Sequence, residues 1–348
     1  MDVLRQDIIV SFGIPLLDMS ATVDTQFLNK YKLGANDSVQ ANKIQSALYD
    51  DAVNTYEVTY VAGGAAQNTI RVAQWLLGAP KATTLFGCIG KDKFGDILQG
   101  KAEQEGVCVC YERHKELATG RCAVLITDNN RCLCAEFAAA KAYSMNHLQQ
   151  PENWQHIVQA QIIYVTGYFL HSSPDCGKLL AESSGNKEGK KFCFNLSAPY
   201  ICLEAMDRIK EIFPYIDILF GNEAEVKALE KELQLKNDCN TTQEIVFQVG
   251  QLLEKQRGKP CTVVITQGNK STVVYHDSKL TEYPVVAVPP ACIVDTCGAG
   301  DAFVGGFLAK LACGKDIAEC IRCGHYAASK MIQCQGIQIP KEKADFWT

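Results

Sequence analysis

Asp295-Thr-Cys-Gly-Ala-Gly-Asp301 places two glycines just ahead of the strongly helical run Ala302-Phe-Val-Gly-Gly-Phe-Leu308, with an aspartate at the head of that run. The first N–H groups of a helix have no partner within it, and the helix dipole adds partial positive charge there. Gly298, Ala299 and Gly300 thus form a candidate anion site, with Asp301 beside it as a base. The same residues also fit a tight packing turn followed by a capping aspartate. Two other nucleotide-binding patterns drop out. A dinucleotide fingerprint needs a third glycine where Phe303 stands and opens the first strand of its domain, and a Walker A loop needs Gly-Lys-Ser/Thr, which the chain lacks.

Three further groupings could carry chemistry. Asn222 and Glu225 follow the apolar run Ile216 to Phe220, three apart on one helix face at the end of a strand. Alone, that spacing is equally that of a capped helix start. Gly63-Gly64 precedes a helical run carrying Asn68, which by itself is a turn before a helix. Cys320-x-x-Cys323 with His325 nearby has half of a zinc pattern, but no second ligand pair stands at zinc spacing. These cysteines read as small buried thiols in a helix. Cys108/Cys110 and Cys132/Cys134 are spaced to share one face of a strand each.

The elements that would position these residues alternate. Ile162 to Thr166, Phe192 to Leu196, Ile216 to Phe220 and Thr262 to Thr266 are buried-strand runs. Between them lie helical patterns at Pro174 to Ser183, Glu204 to Ile212, Glu223 to Leu233 and Thr242 to Gln256. This predicts an α/β fold with a central, mostly parallel sheet flanked by helices. Ala21 to Tyr60 breaks the rhythm with polar sequence, and Thr119 to Ala138 holds two alternating runs around the turn cluster Asp128-Asn-Asn130. Two β-like insertions predict a small lid. The expected division is 1–18, 63–118 and 139–348 for the large domain, with 19–62 and 119–138 for the lid.

Composition narrows the partners. The 348 residues are 47% hydrophobic and 21% charged, and the net charge of -5 argues against nucleic acid or an anionic membrane surface as partner. No apolar run reaches the length of a membrane span. The first residues run into Ile8 to Phe12 without the features of a secretory signal, so the expected compartment is cytoplasmic, with a nuclear pool allowed. The 17 cysteines are read as reduced thiols.

Asp295-Thr-x-Gly-Ala-Gly-Asp301 resembles the C-terminal signature of the ribokinase-like carbohydrate and nucleoside kinases. Gly63-Gly64-x-x-x-Asn68, Gly90-x-Asp92-x-x-Gly95 and Asn222-x-x-Glu225 resemble other motifs of that family and occur in its order. Pro15-Leu-Leu-Asp18, Phe86-Gly-Cys-Ile-Gly90, Asn195-Leu-Ser-Ala-Pro199 and Gly324-His-Tyr-Ala-Ala-Ser329 are similar to its adenosine kinases, from about residue 13 to the C-terminus. The resemblance implies phosphoryl transfer from ATP to a nucleoside hydroxyl. Asp301 would then be the base, and the amides of Gly298, Ala299 and Gly300 the hold on the transferring phosphoryl group.

By the same resemblance, Asp18, at the end of the first strand, would accept the ribose hydroxyls. Gly63 and Gly64 would allow close approach and hinge the lid, Asn68 would reach a hydroxyl, and Leu16, Leu133, Phe169 and Tyr200 would line the base pocket. Arg131, Asn222, Thr266, Gly268 and His325 would face ATP, while Asn222 and Glu225 would organise Mg²⁺, largely through water. A monovalent cation and a monomeric state belong to the same expectation. The chain departs from the adenosine-kinase pattern on the base side, with Ile14 where Asn is usual, Ala65 where Ser is usual, and Ser38 and Gln40 where Gln and Leu are usual. Another nucleoside or a sugar as acceptor, or nucleoside binding without turnover, are the alternatives this leaves open.

Overall fold

The structure, a computed structural model, describes residues 5–35, 37–127, 130–185, 189–235, 241–344 and 346. The chain opens with β1 (Ile9–Phe12), turns at Gly13, and continues through β2 (Leu16–Thr22), α1 (Thr25–Lys30), β3 (Ser38–Gln40), α2 (Leu48–Thr55) and β4 (Thr59–Gly63). Next come α3 (Ala65–Leu77), β5 (Thr83–Gly90), α4 (Lys93–Gln104), β6 (Cys108–His114), β7 (Arg121–Thr127) and β8 (Asn130–Glu136). The middle of the chain holds α5 (Met145–Leu148), α6 (Pro151–Gln159), β9 (Ile162–Thr166), α7 (Gly167–Ser172), α8 (Pro174–Gly185), β10 (Lys191–Asn195), α9 (Pro199–Glu204) and α10 (Met206–Ile212). It ends with β11 (Ile218–Asn222), α11 (Glu223–Leu233), α12 (Thr242–Arg257), β12 (Thr262–Gln267), β13 (Lys270–His276), β14 (Lys279–Tyr283), α13 (Ala299–Ala312) and α14 (Ile317–Met331).

Among the described residues nine strands form one sheet in the order β14-β13-β12-β11-β10-β9-β1-β5-β6, parallel except that β13 pairs antiparallel with both β12 and β14 at one edge. Its central strands are buried on both faces, which is why β5 and β9 read as unbroken apolar runs. One face packs the helices from α5 to α12, and the other packs α3, α13 and α14. Helix α13 is apolar around most of its surface because it lies between α3 and α14. A Cβ at Gly305 would sit 2.6 Å from Thr69 O, and one at Gly306 2.4 Å from Cys323 O, so the glycine pair sets how closely α13 can seat.

The second sheet runs β3-β8-β7-β2-β4. In β2 the residues Leu17, Met19 and Ala21 enter the small domain's own core, together with Cys132 and Cys134 of β8. The period of two then sends Leu16 and Asp18 to the opposite face, where Cys122, Leu133 and Ala135 join them by register. That face looks toward the first turn of α13.

Two expectations are corrected by this topology. The boundary drawn between residues 18 and 19 cuts through β2, and Asp18 does not end the first strand. It sits inside the second, because the chain leaves the large sheet at Gly13, where a Cβ would collide with Ala66 at 2.1 Å. The helix expected over Glu204 to Ile212 is two helices, broken at Ala205, whose backbone leaves helical geometry (φ -117°, ψ 16°). The turn cluster at Asp128 and Asn129 lies outside the described residues. Cys320 and Cys323 are fully buried in α14, and every cysteine among the described residues is a free thiol.

Candidate active site

The loop before α13 is built to expose a helix mouth. Gly298 caps the helix in the left-handed region (φ +77°), and a side chain there would run into Ile337 at 2.7 Å. At Gly300, by contrast, an added Cβ would meet nothing within 4 Å, which leaves open space over the first turn. The sequence-based expectation of three free amides is corrected at one position, since the Ala299 N–H turns back to donate to Thr296 O at 3.2 Å. Gly298 and Gly300 remain at the mouth.

Asp301 sits in that first turn, and Asn68 Nδ2 of α3 donates to its Oδ2 at 3.0 Å. Burial, reinforced by the negative charges of Glu225 and Asp18 and opposed by the Asn68 hydrogen bond, raises the Asp301 carboxyl to about 7. Glu225 is likewise pushed up to about 7 by burial. With Asn222 it forms a complete capping box at the start of α11. Its Oε2 accepts the Asn222 N–H at 3.0 Å, its Oε1 accepts Asn222 Nδ2 at 2.7 Å, and Asn222 Oδ1 accepts the Glu225 N–H at 3.0 Å. The two readings of this pair are therefore compatible: a helix cap that also holds a buried carboxylate within the field of Asp301.

Across the mouth, Asp18 is raised to about 7, by burial first and against the opposing charges of Arg71 and Arg131. A Cβ on Gly63 would lie 2.3 Å from Asp18 Oδ2, so glycine is needed for β4 to pass this carboxylate. Gly64 adopts φ +94°, and a side chain there would meet Ile14 O at 2.2 Å. Arg71, 2% exposed, binds the surrounding pieces together. It donates to Glu105 Oε1 at 2.8 Å, to Ile337 O at 3.2 Å, and also to Ala62 O.

Leu16 and Leu133 stand partly buried on the same face of the small sheet as Asp18. Tyr200 is 45% exposed, with its ring 6.3 Å from that of Tyr168. Phe169 departs from expectation. Its ring is fully enclosed against Phe12 and Tyr143, each 5.5 Å away, so in this conformation it backs the pocket and offers no open face. Its half-buried neighbour Tyr168 donates its hydroxyl to Ser197 O at 3.1 Å.

Arg131 reaches from β8 to form an ion pair with Asp295, whose carboxylate also accepts the N–H groups of Cys297 and Gly336, both at 2.9 Å. These two N–H groups and Arg131 outweigh burial and hold Asp295 below the usual carboxylate range. The small sheet is thereby fastened to the loop that leads into Gly298. Thr266 lies opposite Asn222 in the β11–β12 register, and Gly268 makes the β12–β13 turn with φ +61°. Gln267, between them, lines a polar groove of about 580 Å³ together with Glu223, Lys227, Lys270 and Ser271. His325 does not stand free at this mouth, since its Nε2 is 2.8 Å from Thr272 Oγ1, its ring packs on Phe303, and burial holds it below the ordinary imidazole range.

Among the described residues no cluster of three or more His, Cys, Asp and Glu could hold a metal by itself. Sequence reasoning missed Arg71, Ile337 and the role of Asp295. Only Arg71 left a signal, as a cation between Ile70 and Val72 in an otherwise apolar helical run.

Comparisons with known proteins bear on the fold and the family. Adenosine kinase 1 of Arabidopsis thaliana is 42% identical over 339 residues, covering 97% of each chain. The crystal structure of Anopheles gambiae adenosine kinase in complex with P1,P4-di(adenosine-5) tetraphosphate superposes with a TM-score of 0.85 at 39% identity, over 96% of this chain and 97% of that one. The apo adenosine kinase of Trypanosoma brucei brucei gives 0.87 at 32% identity, over 94% and 99%. The sequence profile of the pfkB family carbohydrate kinases matches residues 35–344, and the chain belongs to that family.

Proposed function

We propose that the chain is an adenosine kinase, transferring the γ-phosphate of ATP to the 5′-hydroxyl of adenosine to give AMP and ADP. The observation that carries the reading is Asp301 in the first turn of α13, held by Asn68 and facing Asp18 across the closed small sheet. A vicinal diol suits Asp18, whose two oxygens can each accept one hydroxyl. That anchors the sugar so that its free hydroxyl points to Asp301.

A carboxylate raised to about 7 is well matched to accept a proton at neutral pH. The Gly298 and Gly300 amides and the dipole of α13 would hold the charge that develops on the phosphoryl oxygens, an effect of about 3 kcal/mol per donor in comparable sites. Arg131, already across the mouth on Asp295, brings positive charge to the same place. Little covalent work is left for the protein, and position and field carry the rate.

The residues present fit Mg²⁺. Glu225 is a buried acid in the field of Asp301 on the α11 side, an oxygen donor with Asn222 next to it, and Mg²⁺ is commonly held by one or two carboxylates plus waters and substrate phosphates. Bound there, it would neutralise phosphate charge during transfer. Thr266, Gly268 and the groove behind Gln267 give the ATP a polar approach.

Purified protein assayed with ATP, Mg²⁺ and separately adenosine, guanosine, inosine and ribose tests the reading. Adenosine is expected to turn over best, with Asp301→Asn nearly inactive. Best turnover on another acceptor would transfer the assignment to that substrate, a change for which Ile14, Gln40 and Ala65 are the place to look. A wild-type rate no greater than that of Asp301→Asn would leave only a nucleoside-binding protein.

A further inference from the structure

Helix α3 carries a buried cation that has no direct part in the chemistry described so far. Arg71 is 2% exposed, and each of its five N–H groups has an acceptor. Nε and Nη2 hold the two oxygens of Glu105, and Nη2 also reaches Ile337 O at 3.2 Å. Nη1 donates to Ala62 O and, at 3.5 Å, to Asn68 Oδ1. The guanidinium is thereby tied to the end of α4, to the segment whose Ile337 packs on Gly298, and to β4 just before the Gly63–Gly64 pair.

Asn68 lies one helical turn before Arg71 and stands between that cation and Asp301, donating from Nδ2 to Asp301 Oδ2 at 3.0 Å. Its amide thus has a donor-only group on its oxygen side and a carboxyl on its nitrogen side. At 3.5 Å the contact with Arg71 is long for a hydrogen bond, and its hold comes from charge: a cation beside Oδ1 favours the oxygen and opposes the NH₂ group. Turned over, the amide would set its NH₂ against a guanidinium that has no lone pair to offer. The reversed amide would suit only a protonated Asp301, whose O–H could then donate to the Asn68 oxygen. Arg71 opposes that arrangement, so the acid form of Asp301 is denied a partner that the carboxylate form keeps.

Given Asp301 as the base, we propose that Arg71 is a positioning residue for phosphoryl transfer, holding the Asn68 amide in the orientation that offers Nδ2 to Asp301. The other titratable groups around Asp301 are Glu225 from α11, Asp18 from β2, and the hydroxyls of Tyr164 from β9 and Tyr168 from α7. Around Arg71 they are Glu105, Asp18 and Tyr111 of β6. Asn68 is bonded to both Arg71 and Asp301, and it carries the effect of one to the other.

The test follows the titration of Asp301 itself, by carbon NMR of the full chain labelled at the aspartate γ-carbon, with the signal assigned through Asp301→Asn. The parent midpoint should lie at about 7. Arg71→Met frees the amide to accept from protonated Asp301, and a neutral hydrogen bond gained by the acid form should raise the midpoint by about half a unit to one unit. In the Asn68→Ala background the same substitution should raise it less than half as far, because the connecting amide is gone while any direct loss of charge remains. A rise below about a third of a unit, or one at least half as large without Asn68, would overturn the proposal. If Arg71→Met does not fold, neutron diffraction from parent crystals in heavy water at about pH 5.5, below the Asp301 midpoint, decides the matter by locating the amide deuterium atoms. Nδ2 toward Asp301 is expected there, and a reversed amide would sink the proposal. The acid limb of kcat/KM for adenosine should rise with the NMR midpoint. A limb that stays put while the midpoint moves would remove Asp301 as the base and leave the hold on the amide standing, which separates failure of the kinase reading from failure at Arg71.

Discussion

Replacing Asn68 by alanine tests whether Asp301 is the proton acceptor whose ionisation limits the reaction. The Asn68 Nδ2 bond to Asp301 Oδ2, at 3.0 Å, favours the carboxylate form, while burial and the charges of Glu225 and Asp18 favour the acid. A hydrogen bond to a charged group contributes about 1.5 to 3 kcal/mol. At about 1.4 kcal/mol per unit, its loss should raise Asp301 from about 7 to roughly 8 to 9. Since kcat/KM for the nucleoside reports the enzyme before the nucleoside binds, its acid limb should move up by about one to two units. At pH 7 the ionised fraction falls from about one half to between a tenth and a hundredth, so the variant should lose roughly five- to fiftyfold there and regain much of that by pH 9. The assay is kcat/KM for the nucleoside from pH 5.5 to 9.5 at saturating ATP. A uniform loss at every pH, with the acid limb unmoved, would refute the reasoning and leave Asn68 as a substrate contact alone.

Asp18→Asn should stabilise the folded protein at high pH. The folded Asp18 holds its proton up to about 7 while the unfolded one releases it near about 4, so over that window the native state binds more protons and stability falls as pH rises. Differential scanning calorimetry should find the variant melting about 1 to 3 °C above the parent at pH 8 and level with it at pH 4, with kinase activity largely lost. Gly64→Ala puts a side chain at φ +94° and 2.2 Å from Ile14 O, and urea unfolding should record a loss of more than about 2 kcal/mol. Arg131→Ala removes the clasp on Asp295. Hydrogen exchange should quicken in β7 and β8 while β9 to β12 keep their protection, and KM for ATP should rise about tenfold or more, since an anion contact and the closed lid are lost together.

Much of the site was legible because it is local. The capping box of Asn222 and Glu225 spans one helical turn, and its span and the helix it starts, Glu223–Leu233, follow from residue types and spacing. The Gly298 turn needs only its own backbone geometry. The shared face of Leu16 and Asp18 follows from the period of two in an extended strand. The parallel sheet followed from the alternation of apolar runs with amphipathic ones, since such strands must be covered on both faces.

Periodicity says nothing, however, about which distant side chains meet. The bond from Asn68 to Asp301 spans 233 residues of sequence and the pair of Arg131 with Asp295 spans 164, and both depend on how α3, β8 and α13 pack. Packing also enclosed Phe169 against Phe12 and Tyr143. It turned the Ala299 amide back onto Thr296, and it took the chain out of the large sheet at Gly13, after β1. Residue types and their spacing by themselves determined the chemistry available to this protein: a carboxylate behind a glycine-rich helix start, a second at a helix cap, and a third on a strand. Only the tertiary structure decided that each of the three is desolvated and raised to about 7, with Asp301 also in the field of the other two, because burial arises from the whole surrounding fold rather than from any neighbouring residue in the chain.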